Sequence, residues 1–111
     1  MVASLTPEDA VDLFEARLIF EPVLLKKAIN VASPADIVHL RKCLAAYEKA
    51  VKDDADPETL SRLNWAFHTA LCQPANRSRM MAILQSLYAA SDRYLRVQIT
   101  RPEAKTKALQ D

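Results

Sequence analysis

Four stretches of the chain carry apolar residues in alternating steps of three and four, the spacing that lines one face of an α-helix. The first covers about 7–30, with Ala10, Val11, Phe14, Leu18, Leu25, Ala28 and Ile29 as its stripe, and the second covers about 34–53, with Ile37, Leu40, Leu44, Tyr47 and Val51. The third, 57–73, centres on Leu60, Leu63, Phe67 and Leu71, and the fourth, 77–100, on Met80, Leu84, Leu87, Tyr88, Ser91, Leu95 and Gln98. His39 falls outside the second stripe and is expected in solvent, and Asp92, Arg93 and Arg96 turn away from the centre of the fourth. The pattern predicts an all-α protein built as an antiparallel bundle of about four helices.

The boundaries have their own chemistry. Thr6-Pro7-Glu8-Asp9, Ser33-Pro34-Ala35-Asp36 and Asp56-Pro57-Glu58-Thr59 each place an oxygen-bearing side chain at the N-cap, where it accepts from unpaired amides. Proline then fills the first helical position, where an N–H would have had no partner. A fourth start is expected at Asn76, after Pro74-Ala75. The connections are short, which favours antiparallel neighbours. Beyond the fourth segment, residues 100–111 are polar after Pro102 and read as the beginning of a further helix.

Composition changes the picture in three ways. The chain has 111 residues and no glycine, which allows one core and removes the usual residue for tight hairpin turns. A net charge of +1 gives no basic footprint for nucleic acid. No apolar run approaches the ~18–20 residues that span a bilayer, and the N-terminus lacks a signal-peptide layout, so a cytoplasmic protein without a membrane partner is expected. Cys43 and Cys72 lie on separate helices without CxxC spacing and read as reduced thiols.

Two pairs of polar residues interrupt the stripes. Arg17 and Glu21, at i and i+4 on the first helix, point inward. They either form an ion pair or present a guanidinium fork to a ligand carboxylate. Pro22 follows directly and removes the amide that would bond to Leu18, which predicts a kink. Asn64 and His68 stand one turn apart on the shoulder of the third stripe. His68 is either a hydrogen-bonded structural residue or a ligand, and an amide oxygen makes Asn64 a weak metal donor. Cys72 lies a further turn along, but no orienting group or oxyanion hole accompanies a His68–Cys72 pair, so no enzyme is expected.

Several of these residues together resemble the FCD ligand-binding domain of the GntR family of bacterial transcription regulators. The marks are Leu13-Phe14-Glu15-Ala16-Arg17-Leu18-Ile19-Phe20-Glu21-Pro22, the start at Ser33-Pro34-Ala35-Asp36, Asn64-Trp65-Ala66-Phe67-His68-Thr69-Ala70-Leu71, and Ala75-Asn76 before the fourth helix. The resemblance runs from about Asp12 to the end. It implies that 6–111 is an all-helical effector-binding domain, an incomplete one that lacks the winged helix before it and the last helices after it.

The resemblance also implies a site. Arg17 would bind the carboxylate of a small organic acid, with Asn64 and His68 beside it. His68 and Asn64 would be ligands to a divalent metal such as zinc or nickel. In the family an aspartate commonly stands where this chain has Asn64, and two later histidines complete the metal site. The effector-sensing domain would form a homodimer, because bundle stripes left uncovered must bury themselves, and would act on DNA only through the separate winged-helix domain. The alternative is a plain helical self-association module without a ligand, in which Arg17–Glu21 is an ion pair and His68 a core hydrogen-bonder.

Overall fold

The computed structural model describes residues 6–100, and their side chains as far as 96. The described chain folds into four helices and no strand: α1 (Pro7–Val31), α2 (Pro34–Lys52), α3 (Pro57–Cys72) and α4 (Ser78–Thr100), with one 3₁₀ turn at Gln73–Ala75. The bundle is the all-α one that the periodicity predicts. The expectations for 101–111 and for Gln98 fall outside the described residues and side chains.

The first three helices begin where the cap signals stand. Thr6 accepts from the Asp9 amide while the Asp9 carboxylate accepts from the Thr6 amide, and Ser33 and Asp36 make the same reciprocal pair. Asp56 accepts from Thr59 at 2.9 Å, which holds the Asp56 carboxyl below its ordinary range. The fourth start differs from the prediction. Asn76 is not an N-cap: it adopts a left-handed conformation at φ 55°, closing the 3₁₀ turn, and α4 begins at Ser78. Asp54 takes the other left-handed position, φ 56°, where Ala55 N–H donates back to Ala50 and Asp54 N–H to Val51. In a chain without glycine, short polar side chains fill the two left-handed positions found among the described residues.

α2 packs along α3, joined to it by residues 53–56, and α1 packs on α4 and on the 3₁₀ turn. The core joins Leu24 of α1, Cys72 of α3 and Leu84 of α4, with Phe20, Trp65, Leu71, Met80 and Met81 around them. Complete burial of Leu24 and Leu84 stabilises the fold by about 1.5–3 kcal/mol each. Ala10, Ala28, Ala50 and Ala70 are buried as well.

Two of the predicted stripes are rotated. On α1 the buried residues are Ala10, Leu24 and Ala28, whereas Val11, Leu18 and Ile29 are exposed, Leu18 by 74%. On α2 the buried position is Ala50, with Leu40, Cys43 and Tyr47 half-buried, while Ile37, Leu44 and Val51 are more open. The apolar arc of each helix is wider than the neighbour that covers it, so spacing alone marks the arc and not the covered half. α1 runs as one continuous helix through Pro22. On α4, Leu95 is exposed, and Asp92 does not turn away as predicted: it faces α3, accepts from the Ser61 hydroxyl, and is held at 2.7 Å by Arg96. His39 is exposed, as expected, with its Nε2 3.7 Å from the Cys43 sulfur.

Candidate ligand-binding site

The inward polar residues of α1 and α3 meet at Tyr88 of α4. The Tyr88 side chain is almost fully buried, at 7% exposure, and its ring serves as a common wall. The Arg17 guanidinium carbon lies 4.6 Å from the ring centre, the Trp65 ring 4.9 Å away and the His68 ring 5.5 Å away. A guanidinium over an aromatic face is attracted by the ring quadrupole, by about 0.5–2 kcal/mol according to how far it is desolvated. The Tyr88 hydroxyl accepts a short hydrogen bond from the Asn64 side-chain nitrogen. Burial pushes the phenol up to about 12, against the opposing pull of Arg17, so Tyr88 keeps its proton and remains able to donate.

Glu21 ties the two halves of the cluster together. Its Oε1 stands 3.4 Å from both Nε and Nη2 of Arg17, and its Oε2 stands 3.2 Å from Nδ1 of His68. All three side chains are half-buried, Arg17 at 18%, His68 at 22% and Glu21 at 23% exposure, so the charges sit at the edge of the core and keep some water. The i, i+4 pairing was visible in the sequence. The His68 contact, which links α1 to α3, was not, because no spacing within one helix encodes it.

Arg17 and Asn64 line one cleft of about 280 Å³, with Tyr47, Ser61, Tyr88 and Asp92. The lining of this cleft does not include His68, which reaches the cluster through Glu21 and the Tyr88 ring instead. Arg17 also borders a second, more apolar groove of about 290 Å³, shared with Phe14, Leu18, Glu21 and Pro22. Tyr88 is the site residue that sequence reading missed, since its place in the fourth stripe made it look like ordinary core. A hydroxyl at the end of a buried ring was the available signal, because a buried phenol normally finds a polar partner.

Among the described residues no group of three or more His, Cys, Asp or Glu side chains is placed to hold the metal that the resemblance implies. Nor is the His68–Cys72 pair a nucleophile and base. Cys72 is buried in the core, and burial, with Glu21 adding to it, pushes its thiol up to about 11, so it stays protonated at neutral pH.

The described residues form an all-α bundle with a cation, an amide and a phenol around one cleft. The chain belongs to the FCD domain family, whose model matches residues 12–111. This places it among regulatory, effector-binding domains found in GntR-type regulators. No curated protein and no solved structure matches the chain. Among the described residues no helix is long and apolar enough to cross a membrane.

Proposed function

We propose that the chain is the effector-sensing, dimerising domain of a cytoplasmic GntR-type transcription regulator, and that it binds a small organic acid in the cleft beside Arg17. One observation carries this reading: a guanidinium stacked on Tyr88 borders a cleft that also receives the Asn64 amide and the Ser61 hydroxyl. Such a cleft matches a ligand with one carboxylate and further hydroxyl or carbonyl groups. The acid would shift the placement of winged-helix domains lying outside this chain, by binding one arrangement of the dimer more tightly than the other.

The dimer rests on the exposed apolar edges, Val11, Leu18 and Ile29 on α1 and Ile37, Leu44 and Val51 on α2. Edges of this kind favour association with a second copy. The test is a thermal-shift screen of small organic acids, run with and without zinc or nickel, on the parent chain and on Arg17→Ala. The expected result is a rise in midpoint that disappears in the variant; no shift with any acid would overturn the reading.

The same edges, together with the engagement of Arg17 by Glu21, favour a second reading as a self-association module without a ligand. A chain that elutes as a dimer and responds to no acid would select it.

A further inference from the structure

We infer that His39 and Cys43, one turn apart on α2, form half of a zinc site that the same pair from a second copy of the chain completes. The cleft beside Arg17 has no part in it. The His39 Nε2 and the Cys43 sulfur lie 3.7 Å apart. Zinc bonds to sulfur at about 2.3 Å and to imidazole nitrogen at about 2.0–2.1 Å, so at the tetrahedral angle two such donors stand about 3.6 Å from each other. The pair is therefore already spaced as two ligands of one tetrahedral ion.

The chain carries this His-to-Cys spacing twice, at His39–Cys43 and at His68–Cys72, and only the first is open to solvent. Cys72 is 2% exposed and the His68 Nδ1 faces Glu21, whereas His39 is exposed and Cys43 half-buried. Both members of the first pair stand on one uninterrupted helix, Pro34–Lys52, whose backbone fixes their separation before any ion arrives.

Two donors fill half of a tetrahedron. A two-fold contact between copies brings the same two groups again and gives the closed His₂Cys₂ set that zinc favours. The surface around the pair suits such a contact. Ala35, His39, Cys43 and Ala46 recur at steps of four, four and three along one strip of α2, and the exposed Ala35 and Ala46 leave room for a second α2 to cross at the pair. His39 lies on the flank of α2 away from Ile37, Leu44 and Val51, so this contact is separate from the dimer proposed at those edges. Lys42 and Lys49 border the strip. Each thiol releases its proton to solvent on binding, and the two thiolates cancel the charge of the ion, so these lysines meet a neutral centre.

The test is titration of the reduced 111-residue chain with cobalt(II), which adopts zinc's tetrahedral geometry and reports it by absorption. The parent is expected to develop a thiolate-to-cobalt charge-transfer band that saturates at one ion per two chains, while its apparent mass on a sizing column doubles; zinc then bleaches the band. Cys43→Ser abolishes the band. Loss of an outer-shell partner alone costs a metal site about 10–100-fold in affinity, so removing a direct ligand in His39→Ala is expected to weaken binding by roughly tenfold or more. A second measurement needs no variant: zinc shields Cys43 of the native protein from alkylation, while Cys72 stays unreactive with or without the ion. No charge-transfer band in the parent, a band that Cys43→Ser keeps, or saturation at one ion per chain with no change in mass overturns the site. Each of these outcomes leaves the acid-sensing reading standing, and a cation held at His68 and Asn64 is told apart because those ligands bring no sulfur and hence no such band.

Discussion

The guanidinium carbon of Arg17 lies 4.6 Å from the centre of the Tyr88 ring, and the hydroxyl of the same ring accepts from Asn64. One aromatic side chain on α4 thereby positions the polar residues of both α1 and α3. Tyr88→Phe separates the two roles. The ring and its seat for Arg17 persist, while the Asn64 nitrogen loses its acceptor. The expected cost is about 1 kcal/mol in urea unfolding, whereas Tyr88→Ala, which also removes the wall, costs about 3–5 kcal/mol.

Tyr88 and Cys72 also set the alkaline limit of stability. Both groups are raised in the folded chain, Tyr88 from 10.0 to about 12 and Cys72 from 9.0 to about 11. Above pH 9 the unfolded chain therefore loses protons that the folded chain keeps, and stability falls with rising pH until the folded groups ionise as well. Thermal midpoints are expected to be insensitive to these two groups below pH 9 and to decline between pH 9 and 12. Tyr88→Phe flattens the part of the decline above pH 10.

The rotation of the α1 face is tested by two leucines six positions apart. Leu24 is fully buried and Leu18 is 74% exposed, although the periodic stripe contains Leu18 and omits Leu24. Leu24→Ala is expected to cost about 2–5 kcal/mol in denaturant unfolding and Leu18→Ala no more than about 0.5 kcal/mol in the monomer. On the proposed dimer, Leu18→Ala is instead expected to weaken association, read by a sizing column.

Thiol labelling distinguishes the two cysteines. Cys43, half-buried on α2, is expected to react with an alkylating reagent in the native protein at neutral pH. Cys72 is expected to react only as the chain opens, at a rate that rises steeply with denaturant. Mass spectrometry of partly labelled protein reads the order directly.

At the start of α3, Asp56 accepts from Thr59, and its carboxyl is held below 3.8. A carboxyl depressed by folding contributes stability above its unfolded value, and that contribution is lost as pH falls through the folded one. Asp56→Ala should lower the thermal midpoint at pH 7, with the gap to the parent closing below pH 3.8. A gap that is unchanged in acid would show that the cap contributes through its backbone geometry alone.

What the sequence makes legible here is local. Three helix starts follow from Thr6, Ser33 and Asp56 with the prolines behind them, because capping needs only residues within one turn. The Arg17–Glu21 pair is legible for the same reason. Contacts between helices are not: Ser61 with Asp92, His68 with Glu21 and Asn64 with Tyr88 each join residues whose separation along the chain carries no periodic signal. The covered faces of α1 and α2 were misjudged because Val11, Leu18, Ile37 and Leu44 are as apolar as the residues that are buried. Asn76 misled because the polar side chain that suits it to an N-cap also lets it adopt the left-handed conformation it has.

Pro22 directly follows Glu21 in the 25-residue α1, and without an N–H it leaves the Leu18 carbonyl with no rung to accept at that turn. The longest rod among the described elements therefore has its one missing rung beside the charge that links it to α3. With one hydrogen bond fewer at that turn, α1 costs less to bend beside Glu21 than anywhere else along its length.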